Sequence, residues 1–255
     1  MRLSILTLGE INLQNGPYIL PLSLHEGDRV VVPVPGYLIQ TDDGHTILVD
    51  AGMPTHLVGP RVSAMVRSPF GESMIPYLEE EHTVTAQLAL LGLTPGDVDT
   101  VVCTHFDWDH CGENALFGHA RLLVQRSHLE AARAEKGDRY DLVPWAAPGL
   151  TYAPIEGDVT IAEGVRVLET PGHVAGHQSV VVSLPRDGVM VLCGDALVSR
   201  EHLDAARWDL YEDPIAARTS IETLVALAES ANARLFYGHD PGQWAALKKA
   251  PYWYE

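Results

Sequence analysis

An α/β layered domain is the fold class that the sequence predicts, and three observations carry the prediction. Short runs dense in Val, Ile and Leu recur along the chain, as strands buried on both faces do. Helix-period segments lie between these runs, so strands and helices alternate along the sequence. The 255 residues with 46% hydrophobic content suffice for a packed core, and no repeat, low-complexity tract or Ser/Gly linker divides them. Residues 1–255 are therefore read as one domain.

The opening MRLSILTLGE reads as a strand, because polar residues arrive too soon for a signal peptide. Strands are then expected at Tyr37 to Gln40, Thr46 to Asp50, Thr100 to Thr104 and Arg121 to Gln125. A further set covers Val165 to Glu169, Ser179 to Leu184, Val189 to Cys193 and Arg234 to Tyr237. Helical spacing occupies Thr83 to Leu91, Ser127 to Glu135 and Pro214 to Ser230. Pro214 suits a first helical turn, where its missing N–H would have no partner in any case. Residues 52–82 and 136–163 are rich in Pro, Gly, Met and aromatics and weakly periodic. They are expected as irregular segments, serving either as pocket walls or as ordinary surface excursions.

Charge excludes several classes of partner. Lys and Arg total 17 against 34 Asp and Glu, giving a formal charge of −17. A nucleic-acid backbone needs a basic footprint, and the densest basic run here is only Lys248-Lys249. An anionic membrane surface is disfavoured for the same reason. No stretch approaches the roughly 18 uninterrupted apolar residues of a membrane helix. The cysteines, Cys103, Cys111 and Cys193, are odd in number and lack a disulfide framework spacing, which points to a reducing cytoplasm.

The chemistry concentrates in Thr104-His105-Phe106-Asp107-Trp108-Asp109-His110-Cys111-Gly112, where the strand VDTVVC ends. His105, Asp107, Asp109 and His110 put four potential metal ligands within six residues. Alternation predicts that 105, 107 and 109 point to one side of an extended chain, with His110 entering from the next turn. Later strand ends supply His173 in TPGH, Asp195 in CGDA and His239 in YGHD. Imidazole and carboxylate are the donors expected for zinc, manganese or iron.

In these motifs the chain resembles the metallo-β-lactamase fold superfamily, from LVDAG at Leu48 to Gly52 through YGHD at Tyr237 to Asp240. The resemblance implies an αβ/βα four-layer sandwich with two divalent metal ions at one edge. His105, residue 107 and His173 would hold the first ion. Asp109, His110 and His239 would hold the second, with Asp195 and a hydroxide bridging the two. Asp50 matches a carboxylate that orients a ligand from behind. His177 is expected either behind the ligands or as a core histidine bonded to backbone.

One position departs from the superfamily pattern HxHxDH: its second His is Asp107 here. Two divalent ions, three carboxylates and a hydroxide would then sum to zero charge, which favours harder ions such as iron or manganese over zinc. Within the superfamily the lactonase branch, including N-acyl homoserine lactonases, is the nearest resemblance. It rests on LLGLTPGDVDTVVCTH, DHCGEN with Phe117, ETPGHVAGHQS and GDA. The implied reaction is opening of a lactone or ester by the metal-bridging hydroxide, with Asp109 as the catalytic proton carrier.

Many lactonases carry a Tyr three residues after the bridging Asp, where this chain has Val198. Tyr211, Tyr237 or Trp108 would then line the pocket, along with apolar residues such as Met65, Phe70, Met74 and Trp145. The tail Tyr252-Trp253-Tyr254 is expected to pack on the core or an interface. Ribonuclease, glyoxalase II, secreted β-lactamase and flavodiiron types fit less well. They would need, in turn, a basic groove, a longer C-terminal helical part, a signal peptide and a flavin domain. An iron protein doing redox or oxygen chemistry and a non-catalytic ligand sensor stay open as alternatives. The resemblance also admits a homodimer.

Overall fold

The structure, a computed structural model, describes residues 1–14, 28–60, 73–135, 139–140 and 145–255. Strands β1 (Arg2–Gln14), β2 (Arg29–Gln40), β3 (Thr46–Val49), β4 (Met74–Tyr77), β5 (Thr100–Val102), β6 (Arg121–Gln125) and β7 (Tyr152–Ile155) form one sheet. Its order is β4-β1-β2-β3-β5-β6-β7. Strands β8 (Val159–Ala162), β9 (Val165–Glu169), β10 (Gln178–Leu184), β11 (Gly188–Leu192) and β12 (Arg234–Phe236) form a second, in the order β12-β11-β10-β9-β8. Helices α1 (Val84–Leu90), α2 (Trp108–Cys111), α3 (Arg126–Ala134), α4 (Arg200–Ala205), α5 (Pro214–Ala231) and α6 (Pro241–Ala246) complete the framework.

The apolar runs explain the layering. Successive strand residues face opposite sides, so a run without polar breaks needs an apolar cover on both. Leu38, Leu48, Val101 and Leu122 pack outward with Leu88 of α1 and Leu129 of α3. Their neighbours Ile39, Val49, Val102 and Leu123 face Val165, Val167, Val180 and Val182 of the second sheet. On the far side, Val181 and Val191 meet Ile221 and Leu224 of α5. The result is the four-layer order of helices, sheet, sheet and helix.

Three strands occur where irregular chain is expected from sequence: β4, β7 and β8. All three stand at sheet edges. Edge strands tolerate proline, here Pro76 and Pro154, because one row of N–H groups needs no ladder partner. The N-terminal strands are also longer than expected. β2 pairs with β3 only from Tyr37 to Gln40. Its earlier part has β1 alone as a neighbour, which accommodates Pro33 and Pro35. The backbone left over there serves the site, because the Pro33 carbonyl accepts a hydrogen bond from His239.

The aromatic tail packs on the body as expected: Tyr254 bridges to Leu3 and joins the inter-sheet core, and Arg2 lies over Trp253. Trp145 stacks on Phe106 within the outer core, with ring centroids 5.1 Å apart, so it serves packing and does not line the pocket. Met65 and Phe70 lie outside the described residues. No helix among the described residues is long and apolar enough to cross a membrane.

Candidate metal centre

Five strands, β3, β5, β9, β11 and β12, deliver Asp50, His105, His173, Asp195 and His239 just beyond their C-terminal ends. The local geometry after β5 differs from the extended chain expected from alternation. Extended backbone stops at Asp107, and residues 108–111 form the single-turn helix α2. Asp109 and His110 therefore come from one helical turn, while Asp107 stands just before it. The physical cause is close packing beneath that turn. Ala51 N–H donates to His110 O (2.7 Å) and Gly112 N–H to Gly52 O (2.7 Å), docking the turn on the loop after β3. A Cβ at Gly112 would stand 2.2 Å from Pro54 N, so no larger residue fits there.

Two groups of donors result. His105 Nε2 and His173 Nε2 lie 3.3 and 3.1 Å from Asp107 Oδ2. His110 Nε2 and His239 Nε2 lie 3.5 and 3.6 Å from Asp109 Oδ2. Asp195 stands between the groups, 3.5 Å from His173 and 3.4 and 3.1 Å from His110 and His239.

Partners behind the rings set their tautomers. A carboxylate or carbonyl oxygen can only accept, so His110 Nδ1–H donates to Asp50 (2.8 Å) and His239 Nδ1–H to Pro33 O (2.7 Å). Thr104 Oγ1 donates to Asp50 (2.8 Å), leaving its lone pair to accept from His105 Nδ1 (2.9 Å). Each of these rings thus turns Nε2 toward the centre. Asp50 performs this positioning with φ of 61°, a left-handed backbone that L-residues rarely adopt and that tends to occur at functional sites.

The fit to metal ions rests on atoms left without partners. His105 Nε2, His110 Nε2 and Asp195 Oδ1 are buried and have no hydrogen-bond partner among the described residues. Such atoms are costly unless something positive meets them, and converging imidazole and carboxylate donors suit divalent ions. The electrostatics agree. Burial opposes charging His239, but Asp195 and Asp109 outweigh it and raise the imidazole to about 9. Burial also opposes a charge on Asp195, yet His239 and His110 hold its carboxyl well below the usual range. Burial raises Asp109, and burial together with His110 lowers His105 to about 3. The carboxylates thus draw positive charge into the pocket, in the absence of an ion as protons on His239 and His110.

His177 is a core histidine beneath this centre. Its Nε2 accepts from Asp195 N–H (3.1 Å) and its Nδ1 pairs with Thr170 Oγ1 (2.9 Å). Three residues in the site carried no signal in the sequence. His128 accepts from Phe106 N–H (2.9 Å) and bonds Ala175 O (2.8 Å), joining the loop of His105 and Asp107 to that of His173 and His177. Arg139 makes a two-pronged ion pair with Asp107, Nε to Oδ1 and Nη2 to Oδ2, both 2.6 Å. This guanidinium adds a positive charge to the neutral core counted from the ligands alone. His202, buried in α4, has both ring nitrogens unpartnered.

A cavity of about 680 Å³ opens over the centre. Ile11, Leu13, Val32 and Met74 form an apolar wall, while Asp107, Asp109, His173, Asp195 and His239 form the floor. Trp108, Val198, His202 and Tyr211 also line it. Tyr211 is buried, with its hydroxyl unpartnered among the described residues. Tyr237 is not among the lining residues.

Comparison with known proteins gives a consistent outcome. Residues 29–239 match the family described as the metallo-beta-lactamase superfamily. An N-acyl homoserine lactonase of Bacillus cereus is 31% identical over 230 residues, 90% of each chain. The N-acyl homoserine lactonase AttM of Azorhizobium caulinodans is 32% identical over 237 residues, 88% of each chain. Among solved structures, a variant of AiiA from B. thuringiensis with N-decanoyl-L-homoserine at its active site superposes with a TM-score of 0.87. It is 29% identical and covers 99% of this chain and 98% of its own. An N-acyl homoserine lactone hydrolase with N-hexanoyl-L-homoserine at its catalytic metal centre gives 0.86 at 28% identity, covering 99% and 98%.

Proposed function

The chain belongs to the metallo-beta-lactamase superfamily, and from that premise we propose that it is a metal-dependent hydrolase opening the lactone ring of N-acyl homoserine lactones. The observation that carries this reading is the set of buried, unpartnered Nε2 and carboxylate atoms converging beneath a cavity with an apolar wall. His105, Asp107 and His173 would hold one divalent ion, and Asp109, His110 and His239 the other, with Asp195 shared. Zinc, manganese and iron suit these donors. When bound, the ions would supply Lewis acidity and a water of lowered pKa.

The chain's own residues do the rest. Asp50, Thr104 and Pro33 fix the rings, so little reorganisation is needed as charge develops on the opening ester. Asp109 would carry a proton toward the departing ring oxygen. Ile11, Leu13, Val32 and Met74 give an acyl chain an apolar surface. Tyr211 and His202 also line the cavity. The three buried, unpaired cysteines support a cytoplasmic setting.

A panel of homoserine lactones with short and long acyl chains, assayed with zinc, manganese, iron and cobalt, tests the reading. The expected result is ring opening to a single hydroxy acid with no fragment lost. Turnover of β-lactams or phosphodiesters in preference to lactones would overturn it.

A further inference from the structure

The two halves of the centre differ in what already sits on their carboxylates. Among the described residues, the ion-pair partners of Asp109 within 4 Å are the imidazoles of His110 and His239. Asp107 is gripped on both oxygens by Arg139, whose Nη2 also lies 3.2 Å from His173 Nε2. One guanidinium nitrogen therefore reaches two of the three donors of the first group. The outer nitrogen, Nη1, pairs with Glu212, a half-exposed carboxylate at the pocket wall. Glu212 thus gives the guanidinium a second acceptor on the solvent side.

Resting on the ligand assignment proposed above, we propose that Arg139 is a resident counter-ion of the first metal site, so that the two ions bind in order. The first ion enters the Asp109–His110–His239 group, where no arginine or lysine among the described residues pairs with the carboxylate. The second must share or displace the guanidinium at Asp107, and it binds more weakly. Charge gives the reason. Asp107 and Arg139 together are neutral, as an imidazole would be, and a fixed positive charge against the ligand oxygen repels a divalent ion. Arg139 is a positioning residue in this account. It holds Asp107 in one orientation and sets the affinity of the first site.

The test reads metal binding without substrate. Chelator-stripped wild-type protein is titrated calorimetrically with zinc, alongside Arg139→Met, Arg139→Lys and Asp109→Asn. Wild type is expected to bind two ions in separate steps. Arg139→Met tightens the weaker step by about tenfold or more and leaves the tighter step within about threefold. Arg139→Lys, which keeps the charge, stays close to wild type, and Asp109→Asn removes the tighter step. Arg139 is partly exposed, and its Met and Lys variants can be checked against each other by thermal melting. One indistinguishable step in wild type, or a weaker step that Arg139→Met leaves unchanged or weakens, overturns the proposal. Lactone opening is assayed separately, so loss of the functional reading and loss of this one give different results.

Discussion

Replacing His128 with Leu removes the side chain that ties together two loops bearing proposed ligands. One buried backbone group, Phe106 N–H, loses its partner, while the carbonyl of the exposed Ala175 is left to solvent. At about 1–3 kcal/mol for one unsatisfied buried group, the expected cost is about 2 kcal/mol at neutral pH. The pH dependence gives a sharper signature. Burial lowers the His128 imidazole to about 4, against an ordinary value of about 6.5. The fold therefore favours the neutral ring. Its contribution is fully present above about pH 6.5 and is lost progressively as the pH falls toward about 4, because the unfolded chain takes up the proton first.

Between about pH 7.5 and pH 5 that loss amounts to about 2 kcal/mol, and Leu has no proton to gain. Urea unfolding of both proteins with chelator present measures the difference free of metal effects. The stability gap between wild type and variant should be large at neutral pH and narrow on acidification. A gap that stays constant or widens would refute the assignment of His128 as a neutral, doubly bonded clasp.

Three further substitutions probe other parts of the account. Gly112→Ala drives a methyl group into the backbone at Met53 and Pro54; it should cost about 1–3 kcal/mol and loosen retention of the ion held by Asp109 and His110, read by metal analysis after dialysis. Asp50→Asn weakens the acceptor of His110 Nδ1–H and Thr104, and metal affinity should fall about 10- to 100-fold; an unchanged titration would remove Asp50 from the positioning chain. Tyr211→Phe deletes a buried hydroxyl that has no partner among the described residues, so thermal stability should hold or rise; a clear loss on thermal melting would show that the hydroxyl is bonded.

Much of the architecture was legible because apolar runs covered on both faces leave an unbroken Val, Ile and Leu signature. Helix Pro214–Ala231 was readable from its proline start and its Asp213 cap, which accepts from Ile215 and Ala216. The candidate ligands stood out because imidazole and carboxylate types recur at strand ends. What stayed hidden depended on contacts between distant segments. Arg139 lies in an aperiodic stretch and finds Asp107 across 32 positions. His128 has the spacing of any inward-facing residue on an amphipathic helix, and nothing local marks its bonds to Phe106 and Ala175. Edge strands such as Tyr152–Ile155 were masked by proline and aromatic content, which an edge tolerates and a central strand does not. The turn at residues 108–111 was hidden because its docking on Ala51 and Gly52 outweighs alternation.

The central claim is that this chain opens lactones through metal ions held by its convergent His and Asp donors. It is tested most directly by following hydrolysis of N-hexanoyl homoserine lactone by chelator-stripped protein, before and after ions are restored. The account predicts no ring opening without metal and recovery as zinc, manganese or iron is added back, with a product one water heavier than the substrate. Ring opening that persists in metal-free protein, or fully loaded protein that opens no lactone, would contradict it.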